Sequence, residues 1–143
     1  LHGPVDHGRS DQCHSLHGSS YPMLLRAKNP EHLLGTFDAS NYALCFTCHQ
    51  EGLITEPETT TLTDFRDGEL NLHALHVANS GRGRSCSTCH EVHGATRPRL
   101  MADFASFEGS DWKMPLGFTL TERGGSCAPG CHEPLSYTRG GTE

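Results

Sequence analysis

Six of the seven cysteines in this 143-residue chain fall into pairs, and each pair is closed by a histidine. Cys45-Phe46-Thr47-Cys48-His49 and Cys86-Ser87-Thr88-Cys89-His90 share the spacing C-x-x-C-H, and Cys127-Ala128-Pro129-Gly130-Cys131-His132 is one residue longer. Two thiols at this spacing can each form a thioether to a vinyl group of one haem, and the imidazole that follows is placed under the iron. The pattern is the attachment signal of c-type haem. The Pro129-Gly130 dipeptide suits a backbone bulge that absorbs the extra residue.

Two other chemistries use paired cysteines. Cys45, Cys48, Cys86 and Cys89 would make up a tetrahedral zinc site, which needs four ligands. Three cysteine pairs would also suit a disulfide framework in an exported chain. Both leave unexplained why a histidine closes every pair, and both leave the other histidines idle.

A fourth site departs from the pattern. Ser10-Asp11-Gln12-Cys13-His14 has Ser where the first Cys belongs, and Cys13 is the odd cysteine of the chain. An internal repeat gives it context. Cys13-His14-Ser15-Leu16-His17-Gly18 matches Cys89-His90-Glu91-Val92-His93-Gly94, each followed four residues on by a proline, Pro22 and Pro98. Cys48-His49 and Cys131-His132 follow in the two halves, so the order is A-B-A′-B′. We read a duplication of a two-site unit within one domain, approximately 1–65 and 66–143. On this reading Cys13 holds a haem by a single thioether with His14 below the iron. The alternatives are an empty, degenerate site or a free thiol. Three haems c are the minimum and four are expected.

Seven histidines lie outside the motifs: His2, His7, His17, His32, His73, His76 and His93. Axial ligation by His or Met sets the haem potential, and several of these recur at repeated offsets, which suggests sixth ligands to iron. His73 and His76 stand at i and i+3, on one face of a helix, and would serve one haem and its neighbour. His17 and His93 each follow a motif histidine by three residues, too close to reach the same iron from the opposite side, so each should reach an adjacent haem. His2 is the approximate counterpart of His76. His7 and His32 read as surface residues, and Met23, Met101 and Met114 as packing.

The composition fits a chain organised around cofactors. Hydrophobic residues make up 34% and aromatics 7%, with 24 Gly and Pro together and a mean hydropathy of -0.51. So little apolar surface does not offset the entropy of ordering the chain, whereas several haems would fill its centre. The formal charge of -6 and the lack of a basic stripe argue against a nucleic-acid partner. The longest apolar run, Tyr42–Phe46, is five residues, far below the ~20 of a membrane span. The chain opens at Leu1 without a signal-peptide pattern, which reads as a processed or trimmed chain.

Periodicity is weak throughout. The expected fold is mostly irregular, with short α-helices wrapped around a haem chain and little or no β-sheet. Helices are expected around 43–50, around 70–77 and after Cys131. Turns are expected at 78–85 and at Gly124-Gly125, and a frayed tail at 138–143.

The chain resembles the multihaem c-type cytochromes with doubled C-x-x-C-H motifs of bacterial respiratory and extracellular electron-transfer systems. The resemblance rests on His2-Gly3-Pro4-Val5, on Cys13–Ser19, on Asn71–Val77 leading to Cys86–His93, and on Gly124–His132, with the Cys-His motifs as its specific part. It implies bis-histidine haems c, electron transfer and an exported location, whether periplasmic, surface-bound or extracellular. The departure is Ser10. Some small cytochromes of this kind polymerise, so the expected partners are other multihaem cytochromes or redox proteins, or further copies in a conductive filament. A reductase of a small oxidised substrate would need an iron with an open position and acid-base residues beside it, and the surplus of histidine does not force one. A haem-bearing accessory subunit of a larger redox complex is a third class. An electron carrier without enzymatic chemistry is the leading expectation.

Overall fold

The structure is a computed structural model that describes residues 1–107 and 109–140. In chain order the elements are α1 (Gly3–Asp6), β1 (Leu34–Gly35), α2 (Ala43–Phe46), α3 (Gly52–Thr55), β2 (Arg66–Asp67), β3 (Leu70–Asn71), α4 (Leu72–Val77), β4 (Gly83–Arg84), α5 (Cys86–Cys89), β5 (Phe104–Ser106), β6 (Lys113–Pro115), β7 (Thr119–Leu120), β8 (Gly124–Cys127) and β9 (Leu135–Thr138). The helices are one to two turns long. Short 3-10 turns at Ser10–Gln12, Pro22–Leu24, Ala39–Tyr42 and Pro98–Leu100 fill much of the rest. No helix among the described residues is long and apolar enough to cross a membrane.

The expectation of little or no sheet is overturned. Four small antiparallel sheets form: β1 with β4, β2 with β3, β5 with β6, and β7-β8-β9. Their strands are two to four residues long, too short for alternation to show, and tertiary pairing rather than propensity makes them. Gly124-Gly125 is not a turn but part of β8, with Gly125 opposite Tyr137. A Cβ at Gly124 would run into the Tyr137 carbonyl, so glycine is there for close backbone approach, not for turning. The 78–85 turn contains a strand as well, β4. After Cys131 the chain forms β9, not a helix. The tail is tied down as far as it is described. Thr138 donates its N–H to Asp67 Oδ1 at 3.0 Å, Gly68 N–H donates to the Thr138 carbonyl at 2.7 Å, and the Arg66 guanidinium reaches the Arg139 carbonyl. Residues 141–143 lie outside the described part.

α2 takes only the first half of the helix expected at 43–50, while α4 begins at Leu72, where Asn71 caps it. The Asn71 side-chain oxygen accepts from the N–H groups of His73 at 3.0 Å and Ala74 at 3.3 Å. Its amide nitrogen donates to the carbonyls of Leu53 at 3.0 Å and Glu56 at 2.7 Å. Asn71 is fully buried, so this one side chain orients a helix that carries two histidines and joins it to α3. Asn71→Ala removes the cap and takes the donor away from the Leu53 and Glu56 carbonyls, for an expected loss of about 2–3 kcal/mol. Thermal unfolding of the intact protein checks this, and a change below about 1 kcal/mol would remove Asn71 from that role.

Among the described residues two small apolar clusters form. Tyr42, Ile54 and Val77 form one, with Phe46 and Cys86 packed on it. Ala102, Ala105, Met114 and Leu116 form the other, with Cys89 packed on it. Each cluster therefore abuts a cysteine of the motif at 86–90.

Candidate haem sites

Each C-x-x-C-H loop folds through its own backbone. The Cys45 carbonyl accepts from Cys48 N at 3.2 Å and His49 N at 2.9 Å, and the Cys86 carbonyl accepts from His90 N at 2.9 Å. One tight turn thereby brings the backbone of each motif's first cysteine against that of its histidine.

Three motif histidines face three histidines from outside the motifs. The ring centroids of His2 and His49 are 6.2 Å apart, those of His14 and His93 6.2 Å, and those of His73 and His90 6.3 Å, with interplanar angles of 10°, 15° and 21°. Ring pairs held by packing alone spread over a range of separations, whereas these three share one. Two nitrogen–metal bonds of about 2.0–2.1 Å, with roughly 1.1 Å from each nitrogen to its ring centre, put two imidazoles on a single metal about 6.3 Å apart, centre to centre.

The donor set distinguishes a haem from a bare ion. Among the described residues no group of three or more His, Cys, Asp or Glu is placed to hold a metal. A tetrahedral zinc ion needs four protein donors, while a macrocycle supplies four of its own and leaves two axial places. Opposed histidine pairs beside cysteines suit the second case. None of the seven cysteines is in a disulfide.

The histidines are oriented through their far nitrogens. Nδ1 of His14 donates to the Met23 carbonyl at 2.9 Å, and Nδ1 of His90 to the Arg99 carbonyl at 3.0 Å. Nδ1 of His73 is held by Thr63 Oγ1 at 3.0 Å, of His76 by the Leu72 carbonyl at 2.7 Å and of His132 by the Glu133 carbonyl at 2.6 Å. Occupying Nδ1 fixes the tautomer and leaves Nε2 as the ligating atom. Burial pushes the pKa of His73 down to about 4, with repulsion from His90, His76 and His49 adding to it. Burial also lowers His90 and His76. The neutral imidazole thus favoured is the form that binds metal.

The carbonyls that orient His14 and His90 come from matching strained loops. Met23 and Leu24 have φ of 56° each, and Arg99 and Leu100 have 58° and 57°. Left-handed backbone costs a non-glycine residue roughly 1–2 kcal/mol, and here it recurs at the same two positions of both repeats. The framework around it recurs too. Leu24 and Leu100 carbonyls accept from Ser15 and Glu91 N–H groups, and Cys13 and Cys89 carbonyls accept from Arg26 and Ala102 N–H groups. Sequence reading missed this device, for which Pro22 and Pro98 are the only local hints.

The sites adjoin one another in chain order. His2 N–H donates to the His93 carbonyl at 3.5 Å, which sets the partner of His49 beside the partner of His14. Burial raises the Cys13 pKa, with Cys48 and Cys45 adding to it. Cys45 and Cys86 share a hydrogen bond that lowers Cys45 to about 7 and, together with burial, raises Cys86. Burial lifts Cys89 to about 11, and Cys127 and Cys131 contribute. Met114, packed in the cluster against Cys89, lies with its sulfur 3.1 Å from Cys131 Sγ. Three predicted site histidines are in none of these pairs: His76, whose pKa is lowered first by burial and slightly by His132, His132 itself, and His17, which is exposed. His7 and His32 are exposed as well.

Residues 2–53 match the family model described as the doubled CXXCH motif. The match contains His2, Ser10–His14 and Cys45–His49, and so takes in both sites of the first half and the partner of His49. No curated protein and no solved structure matches the chain. The match supports a doubled haem-binding motif like that of the c-type cytochromes in this segment, and the complete C-x-x-C-H motif indicates covalently bound haem. Attachment of this kind implies export from the cytoplasm.

Proposed function

We propose that the chain is an electron carrier that moves electrons along a row of bis-histidine c-type haems. The observation that carries this reading is the pairing of His49 with His2 and of His90 with His73 at one separation, each pair beside a complete C-x-x-C-H motif. Haem iron supplies a one-electron ferric/ferrous couple when bound. The chain does the remaining work. Cys45, Cys48, Cys86, Cys89, Cys127 and Cys131 would tether the haems, His49, His90 and His132 would each ligate one, and His2 and His73 would be the second ligands at two of the sites. His76 is assigned to the site of His132, since its Nδ1 is anchored, its Nε2 is left over and His132 is its neighbour.

Two histidine ligands for each haem would leave no open position for a substrate, which favours carrier over reductase. The packing of Cys86 near Phe46, and of Cys89 on the Met114 cluster, brings the three sites into succession. Partners in this reading are other redox proteins, multihaem cytochromes among them, or further copies in a filament. The setting is periplasmic, surface-bound or extracellular.

Electron paramagnetic resonance of the oxidised protein should show only low-spin iron, and carbon monoxide should not bind the reduced protein. His76→Ala should convert one haem to a high-spin, carbon-monoxide-binding form and leave the rest low-spin. A native protein dominated by high-spin iron would sink the carrier reading and favour the reductase.

A further inference from the structure

The site at Ser10–His14 lacks one of its two cysteines yet keeps the geometry of its complete counterpart. The Ser10 carbonyl accepts from Cys13 N at 3.1 Å and His14 N at 2.8 Å, the pattern that Cys45 makes with Cys48 and His49. His14 Nδ1 is held by a carbonyl from a left-handed loop as His90 is, at 2.9 against 3.0 Å. His14 and His93 stand 6.2 Å apart where His90 and His73 stand 6.3 Å apart. A site that had lost its ligand would have no reason to keep two consecutive strained, left-handed non-glycine residues solely to aim a carbonyl at His14. Nor would a histidine from the other half of the chain meet it ring to ring.

We propose that Cys13 and His14 carry a fourth haem, bound through a single thioether, with His93 as its second axial ligand. The inference rests on the c-type reading above. In the attachment step the Cys13 S–H adds across one vinyl group. The sulfur bonds to the carbon next to the ring and the hydrogen goes to the terminal carbon. One C=C is consumed, no electrons are gained or lost, and no oxidant is needed. The Ser10 hydroxyl does not add, so the second vinyl group stays conjugated with the macrocycle. This haem therefore differs electronically from the others, and it extends the row by one place at the His2–His93 contact.

The test is peptide mass spectrometry of the denatured, trypsin-cut holoprotein together with its pyridine haemochrome spectrum. The peptide Ser10–Arg26 should carry one haem on Cys13. The α-band should show a component at longer wavelength, which Ser10→Cys abolishes without adding a haem to the mass. His93→Ala should keep the haem on that peptide and remove one low-spin signal. An unmodified Ser10–Arg26 peptide, with the other three motif peptides loaded, would overturn the inference and leave the carrier reading standing. An unchanged set of low-spin signals in His93→Ala would overturn the assignment of His93. Haem on none of the peptides would overturn both readings.

Discussion

Prepared without haem, the chain is expected to show no cooperative thermal transition and a circular dichroism spectrum dominated by disorder. The reason is the smallness of what it packs for itself. Among the described residues the buried hydrophobic side chains are Leu25, Tyr42, Ile54, Val77, Ala102, Ala105, Met114, Leu116, Phe118 and Tyr137, and Leu16, Met23, Leu75, Trp112 and Leu135 are all more than half exposed. Helices of one or two turns do not persist alone, and two-stranded sheets are marginal in water. The histidine pairs are also held apart at metal-bridging distance instead of packing together. Cofactor binding is then folding free energy, as in other small proteins organised around a bound metal. Expression in the cytoplasm without haem attachment, followed by thermal scanning, is the measurement. A sharp, native-like melt of the haem-free chain would show that the protein core suffices.

Phe65→Ala is expected to disturb two sites at once. The Phe65 ring lies 5.2 Å from His73, edge on, 5.6 Å from His76 and 5.1 Å from Tyr137, again edge on. Its backbone N–H donates to Thr63 Oγ1 at 2.9 Å, the same oxygen that holds His73 Nδ1. Phe65 thus braces both α4 histidines and joins them to the β7-β8-β9 sheet through Tyr137. Removing a half-buried ring from this place should cost about 2–4 kcal/mol. The more telling readout is electrochemical, because ring orientation and packing around an axial ligand tune the iron. Two haem potentials should shift together in Phe65→Ala, while Phe65→Leu keeps most of the stability. An altered melting temperature with every potential unchanged would limit Phe65 to packing.

How legible these features were depended on the distance over which they act. The cysteine motifs lie within five or six residues, and a spacing that short states its chemistry openly. The identity of the histidine partners needed long-range contacts: nothing local to His93 says that its ring meets His14, and nothing near His2 says that it meets His49. The left-handed pairs Met23-Leu24 and Arg99-Leu100 contain no Gly, Asn or Asp, the residues that ordinarily mark such backbone. The sheets escaped because β1, β2, β3, β4 and β7 are two residues each, and because the glycines of β8 serve close approach. Thr63 and Phe65 lie outside every cysteine motif, and their role appears once α4 is placed against them.

The three parallel histidine pairs also differ in the direction in which they reach along the chain. His49 finds its partner 47 residues back and His90 finds its own 17 residues back, but the partner of His14 lies 79 residues ahead. A chain that emerges from its amino terminus therefore has two of these pairs within reach as soon as their motifs appear. His14 must wait until His93 has been made, and it then closes the longest loop of the three, with the largest entropy of closure. Of these three pairs, the one whose motif comes first is the last to be closed, and its closure draws the two halves of the molecule together.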